Sequence, residues 1–400
     1  MDQDLKRSGF DPVRYPWSVV RQGTTLGSHE VLYGTAYAQK LIWEHQHPVN
    51  CSNASFLLYF HHEAGIGSQL HWLGQALAIA MNLGRVLVIS PKDPLMKIYD
   101  SSFCPGASGY ECWLQNMTSC HVGKDVLQIH GTPAIKGRQP AENFHEQSVP
   151  VVFQEMLANC SPIKSKSWFY WWRSQSVTYL TRFNDRTRKA LDRFRSDSLY
   201  TCDAPIPSPA DILSPGHISA HVRQGEKGRE ARLFPLEVYL KQMEALADNS
   251  SELRVLFKEV AESDRNFSYP AGTYSERKIF LSTEDQPTLQ KALKLCSADP
   301  PWQVTWTKVN RSSNHRDTWM HVQSQEAARQ EALIAFMNLE LALEADAWVC
   351  ALSSNWCRLI DELRMTVGMK ASKPYLSMSR SGKKRQPCTP EEPQCYLRNL

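Results

Sequence analysis

The sequence predicts an α/β fold whose second half is a doubly wound parallel sheet. Three observations carry that expectation. Strand-length apolar runs alternate with amphipathic helical segments through much of the chain. Residues 56–90, FLLYFHHEAGIGSQLHWLGQALAIAMNLGRVLVIS, read as one strand–turn–helix–strand unit. Four hundred residues is also long for one core, so two domains are expected.

In chain order, residues 1–45 show no strong periodicity and read as an N-terminal extension. A first α/β domain is expected over 46–205. It opens with a strand at 56–61, closed by His61 and His62, and a glycine turn at 65–67. A helix over 68–83 follows, apolar at Leu70, Leu73, Leu77 and Met81, then a strand at 85–90. Residues 100–165 read as loop-rich, and 166–200 as helical. Trp171 and Trp172 in that stretch could stack on sugar rings, but an aromatic-rich helix favours core packing. The segment CDAPIPSPADILSPG, 202–216, holds four prolines and is the best linker in the chain. A Rossmann-like domain is expected over 216–375. Its strands are predicted at 217–223, 278–283, 303–309 and 347–352, and its helices at 235–247, 286–296, 324–344 and 357–367. Residues 376–400 read as a polar tail.

Composition narrows the function. A net charge of +4 suits an anionic ligand and is too small for a nucleic-acid binder. No apolar run reaches 18 residues, and MDQDLKRSGF has no apolar core, so neither a membrane span nor a signal peptide is read. Eleven cysteines, none in a CxxC pair, are many for a reducing compartment. Seven of the fourteen asparagines begin an N-x-S/T triplet: Asn50, Asn53, Asn116, Asn159, Asn249, Asn266 and Asn310. About two would arise by chance. Both features place the protein in the secretory lumen, with any targeting or anchoring segment supplied by sequence absent from this chain.

In open α/β sheets ligands bind beyond the carboxyl ends of the strands. Three predicted strand ends are rich in polar groups. One carries His221, Arg223, Gln224, Glu226, Lys227 and Glu230; another Glu284 and Asp285; the third Ser353, Ser354 and Asn355. The last is a strand–turn–helix junction, where free backbone N–H groups favour anions. Arg223 offers a planar fork of donors suited to phosphate, and Lys227 a point charge. Together they describe a diphosphate site flanked by carboxylates that could read a nucleoside or act as a base. Other chemistries lack their motifs. GIGSQL lacks the third glycine of a dinucleotide fingerprint, and the next strand ends in Ser90 without an acidic residue. There is no P-loop, GxSxG or HExxH, and the sole Asp-x-Asp is Asp2-Gln3-Asp4 at the extreme N-terminus, so no metal or other cofactor is called for.

HVRQGEKGREA…FPLEVYL, IFLSTEDQPTL and WVCALSSNWCRL resemble the three signature stretches of the α1,6-fucosyltransferases, which add core fucose to N-glycans and are related to bacterial chitooligosaccharide fucosyltransferases. GIGSQLHWLGQAL and WWRSQSVTYLTR resemble the same family upstream, in the same order. The resemblance covers residues 45–370. It implies a GT-B-like, two-lobed architecture and inverting, metal-independent transfer from GDP-fucose to a glycan or glycoprotein, in the Golgi. It places Arg223 on the β-phosphate, His221 near guanine or ribose, and Lys227 near the phosphates or the acceptor. Glu230 matches the general base. Tyr239, Glu284 and Asp285 would contact donor or acceptor, and Ser354 and Asn355 the phosphates. It also implies a Cys350–Cys357 disulfide across the last turn. For the other cysteines, Cys51 with Cys104 and Cys112 with Cys120 are the expected pairs.

Four positions depart from the pattern. Gln224 stands where a second arginine is usual, Glu226 replaces Asp, Asn338 replaces an Asp that reads guanine, and Asn355 replaces Gln. These departures keep two alternatives open. One is a peptide O-fucosyltransferase or a transferase using another nucleotide sugar. The other is a catalytically silent glycan-binding protein on the same scaffold.

Overall fold

The computed structural model describes residues 32–61, 64–90, 101–107, 109–130, 149–159, 168–202, 204–206, 213, 216–224, 233–247, 277–309, 311, 324–368, 370–371 and 373–378. The fold is α/β with two sheets, each built on parallel strands. The first sheet contains β1 (Phe56–Phe60), β2 (Val86–Ile89) and β3 (Val126–His130) in the order β2-β1-β3. The predicted βαβ unit is present, with α2 (Ile66–Asn82) as its crossover. Leu57 pairs with both Leu87 and Leu127, so the apolar middle strand is covered on both edges.

Before it lies a helix the sequence did not reveal, α1 (Thr35–Gln46). Its inward face carries Ala38 and Ile42 but also Gln39 and Gln46, all fully buried. Glutamines at core positions erase the apolar period on which a helix is recognised. Their amide nitrogens are paired all the same, although Gln39 Oε1 is left without a hydrogen-bond partner among the described residues. Gln39 Nε2 donates to the Gln175 carbonyl at 2.8 Å. Gln46 donates to the Leu87 carbonyl at 3.0 Å and accepts from the Leu87 N–H at 2.9 Å. Its amide thus acts as one further strand residue on the open edge of β2.

The helical layer continues with α3 (Tyr110–Trp113), α4 (Val151–Ala158), α5 (Trp168–Leu180) and α6 (Asp185–Ser198). Trp171 and Trp172 are fully buried, as core packing required. Their indole N–H groups donate to the Tyr33 and Gly74 carbonyls at 2.7 and 2.9 Å. Gly74 is small by necessity, because a Cβ there would run into the Ser176 side chain on α5.

The second sheet contains β4 (Leu199–Thr201), β5 (Ala204–Pro205), β6 (Ile218–His221), β7 (Lys278–Ser282), β8 (Gln303–Thr307), β9 (Ala347–Cys350) and β10 (Tyr375–Ser377). Their order is β10-β9-β6-β7-β8-β4-β5. The first five are parallel, and β4 and β5 close one edge antiparallel. The helices α7 (Leu236–Ala247), α8 (Gln286–Leu293), α9 (Gln325–Glu344) and α10 (Asn355–Met365) cover its faces. One core runs from α1, α2 and α5 into α9, α10 and Trp348 of β9. A second core fills the opposite face of the large sheet, around Val222, Tyr239, Met243, Ile279 and Val349.

Four disulfides are formed among the described residues. Cys350–Cys357 spans the turn before α10, as the resemblance implied. The expected pairs Cys51–Cys104 and Cys112–Cys120 are not. Cys51 bonds Cys120, and Cys104 bonds Cys112. Cys51 precedes β1 and Cys120 precedes β3, and these strands are parallel neighbours, so their leading loops meet across 69 residues of sequence. Cys202–Cys296 ties the end of β4 to the turn after α8, a pair for which sequence spacing offers no cue.

Candidate active site

The order of the large sheet fixes where a ligand can sit. From β6 the chain builds outward through β7 and β8, then returns to lay β9 on the other side of β6. The loops leaving β6 and β9 therefore diverge, and a crevice opens between them at the carboxyl ends. His221 and Cys350 are register partners at the last rungs of these two strands.

Arg223 follows β6 and Ser354 follows β9. The Arg223 guanidinium donates to the Ser354 hydroxyl at 3.2 Å across the crevice. Ser354 is the N-cap of α10, in extended conformation, and its side chain makes no capping bond to its own helix. The partial positive charge of the α10 N-terminus and the Arg223 cation thus converge on one point. The Cys350–Cys357 bridge fixes the end of β9 to the first turn of that helix. Such a site attracts an anion from two directions.

His221 accompanies Arg223, with Nδ1 3.1 Å from the Ser282 hydroxyl and its ring 6.5 Å from that of Trp356. Burial, reinforced by the Arg223 charge, lowers its pKa to about 3. The ring is neutral at physiological pH and available for hydrogen bonding.

Glu284, after β7, is open to solvent but walled in on most sides, as befits the side of a cleft. Desolvation raises its pKa, against the opposing pull of Arg223 and of the Gln224 N–H, 3.4 Å from Oε1. Tyr239 on α7 is buried, and desolvation together with the Glu284 charge raises the pKa of its phenol. Arg223, Glu284, Tyr239 and His221 therefore share one neighbourhood.

Other expected site residues are placed differently. Asp285 caps α8, accepting from the Thr288 N–H at 2.8 Å and hydroxyl at 2.6 Å. Gln224 turns its amide to the Phe234 carbonyl at 2.8 Å, bracing the segment that leads into α7. Asn338 lies two strands away, where Thr307 Oγ1 donates to its Oδ1 at 3.2 Å at the end of β8. Ser353 is exposed in the turn before α10. Glu226, Lys227 and Glu230, and likewise His62, lie outside the described residues.

Asn355 has partners the sequence did not suggest. Its Nδ2 donates to Ser68 Oγ at 2.5 Å, and its Oδ1 lies 3.2 Å from His71 Nδ1. The start of α2, from the first sheet, thus meets the start of α10, from the second. Gly67 permits this. A Cβ at that position would sit 3.0 Å from the Asn355 carbonyl carbon and oxygen. His71, Arg173 and Glu362 form a buried cluster behind the junction. Sequence reading gave them no role, although GIGSQLHWLGQAL and WWRSQSVTYLTR contain the first two. Arg311 was also missed. Buried beside the ends of β7 and β8, it donates to the Thr283 and Thr307 carbonyls, and desolvation lowers its pKa to about 10.

Comparison with known proteins agrees with the motifs. Among solved structures, NodZ alpha-1,6-fucosyltransferase soaked with GDP-fucose is 13% identical, covering 86% of this chain and 100% of that one at a TM-score of 0.40. Fucosyltransferase NodZ from Bradyrhizobium is 14% identical, covering 83% and 98% at 0.39. POFUT1 in complex with GDP-fucose is 12% identical, covering 82% and 98% at 0.37. The family model for alpha-(1,6)-fucosyltransferase N- and catalytic domains matches residues 35–379. That match takes in both sheets, the crevice and every described residue placed in it, and the chain belongs to the alpha-(1,6)-fucosyltransferase family.

Proposed function

We propose that this fucosyltransferase moves fucose from GDP-fucose, with inversion and without a metal ion, onto the innermost N-acetylglucosamine of an N-glycan. The observation that carries the donor reading is the Arg223–Ser354 contact at the β6/β9 switch point. A diphosphate seated there meets one guanidinium fork and one helix N-terminus. Both stabilise the charge that grows on GDP as the bond from the anomeric carbon to the β-phosphate oxygen breaks. The transition state has oxocarbenium character, as in glycoside hydrolysis. An acceptor hydroxyl attacks from the opposite face and gives its proton to a carboxylate. Glu230 is assigned that role and Lys227 a place near the phosphates or the acceptor, both on the resemblance of their motif.

His221 is placed against ribose or guanine as a neutral donor or acceptor. Glu284 and Tyr239 form the wall that faces the nucleoside or the acceptor. Asn338 is assigned to guanine, and its amide presents both a donor and an acceptor. The disulfides and triplets fit the secretory lumen, with the Golgi as the proposed compartment. No helix among the described residues is long and apolar enough to cross a membrane.

GDP release from GDP-fucose, measured with N-glycan, chitooligosaccharide and folded-peptide acceptors, tests the assignment. N-glycan-dependent turnover should fall at least about a hundredfold in Arg223→Ala, roughly 3 kcal/mol of transition-state stabilisation. Turnover on a peptide alone would move the protein to the O-fucosyl class. GDP binding without turnover on any acceptor would make it a silent glycan-binding scaffold.

A further inference from the structure

The turn before α10 is held from behind by charged groups of the other half of the molecule. Arg173 on α5 is buried, and its Nη2 lies 2.8 Å from Glu362 Oε1. Glu362 on α10 is fully buried, and its Oε2 lies 2.9 Å from His71 Nε2 on α2. The other ring nitrogen of His71 faces Asn355 Oδ1 at 3.2 Å. The Arg173 Nη2 is 2.8 and 3.0 Å from the two His71 nitrogens, a position possible only over the face of the ring. Arg358 adds a second contact to Asn355 Oδ1 at 3.3 Å and donates to the Leu352 carbonyl at 2.5 Å. Three helices thus converge on one amide side chain.

Burying a carboxylate costs several kcal/mol even when it is paired. Aliphatic side chains would pack these helices without that cost. What the cluster supplies, and apolar packing does not, is a fixed direction for Asn355. Burial and the Arg173 charge lower the His71 pKa, so its neutral ring carries one N–H. Ser68 and Arg358 hydrogen-bond the Asn355 amide and the His71 ring stands against its oxygen, which sets the first residue of α10 relative to the Ser354 cap and Arg223.

We propose that Arg173, Glu362 and His71 are positioning residues for the donor diphosphate, acting through Asn355. The inference rests on the donor-site reading given above. It makes the acceptor-side helices part of the donor site without any of the three touching the nucleotide.

A double-mutant cycle on GDP affinity tests it, with isothermal titration on the intact chain and thermal melting as the folding control. Glu362→Gln and Asn355→Ala should each weaken GDP binding about tenfold. The double variant should bind no more weakly than Asn355→Ala alone, because Glu362 has lost the group through which it acts. Donor KM should rise while acceptor KM stays constant. A merely structural role predicts that Glu362→Gln weakens affinity by the same factor in both backgrounds. Additive losses, or unchanged GDP affinity in Glu362→Gln, overturn the proposal. Should Glu362→Gln fail to fold, Arg173→Lys keeps the charge, loses the planar fork and enters the same cycle. Wild-type protein that melts cooperatively but binds no GDP would remove the donor site itself, and this inference with it.

Discussion

Gly67 offers the sharpest test of the meeting of α2 and α10. Adding one methyl there places a Cβ 3.0 Å from the Asn355 carbonyl carbon and oxygen and 3.3 Å from the Trp356 nitrogen. Carbon contacts are most favourable at about 3.5–4.0 Å, so the two helix starts must separate by roughly half an ångström. The opposing atoms are backbone, in a helix tied down by the Cys350–Cys357 bridge, and cannot rotate away. Overpacking of this kind costs about 1–3 kcal/mol. Alanine is a better helix former than glycine by about 0.8–1.0 kcal/mol, which offsets part of that loss in stability but none of the displacement. Gly67→Ala should therefore melt within a few degrees of wild type yet bind GDP about tenfold more weakly, because the Ser354–Arg223 pair has moved. Gly65→Ala is the matched control, since a Cβ there meets nothing within 4 Å and the backbone is extended, at φ −65°. Titration with GDP and a melting curve on each variant decide the matter. Equal GDP affinity in wild type and Gly67→Ala, or equal losses at both glycines, would refute the reasoning.

Three further outcomes are expected. Replacing Cys350 and Cys357 by serine should lower stability by about 2–3 kcal/mol, the chain-entropy value for a loop this short, read as a lower melting temperature with weakened GDP binding. The triplet asparagines among the described residues, Asn50, Asn53, Asn116 and Asn159, are all exposed, so protein expressed through a secretory pathway should lose mass stepwise on treatment with peptide-N-glycosidase; an unchanged mass would contradict the lumenal assignment. His221 binds a proton below about pH 6.5 when unfolded but only near pH 3 when folded, so acid favours the unfolded chain between those values. His221→Gln should remove up to about 1.4 kcal/mol per pH unit from the fall in stability on acidification, seen as a shallower dependence of the denaturation midpoint on pH.

Much of this architecture is legible in the chain because it rests on local pattern. The alternation of β6, β7, β8 and β9 with amphipathic helices survives in the sequence, and with it the carboxyl ends where Arg223 and Ser354 stand. What is not legible is written across distance. α1 hides because Gln39 and Gln46 occupy core positions and pair with backbone from α5 and β2. β3 hides in a cysteine-rich stretch, and its partner is β1, some 70 residues earlier. The same holds for Cys51 and Cys120, which only that pairing brings together. Asp285 shows the reverse error. An acidic residue after a strand reads as a ligand group, yet directly before a helix and three residues before Thr288 it is also an N-cap, and capping claims its carboxylate.

The His71–Arg173–Glu362 cluster marks the limit of sequence reading for a physical reason. His71 and Arg173 stand among uncharged neighbours on their helices, while Arg358, Asp361 and Arg364 surround Glu362 with local pairings that conceal its partners on other helices. Only when α2, α5 and α10 pack do the charges neutralise one another. The same packing brings the N-termini of α2 and α10 face to face, one from each sheet, with Gly67 as the spacer. The crevice is then no property of the large sheet alone. β6 and β9 supply the opening, but the direction in which α10 points into it is set by a helical layer rooted in the first sheet. A sheet with this strand order would offer a crevice in any case. On the positioning proposal, the charge cluster would give that crevice a defined orientation for a diphosphate, as transfer of a sugar from it requires.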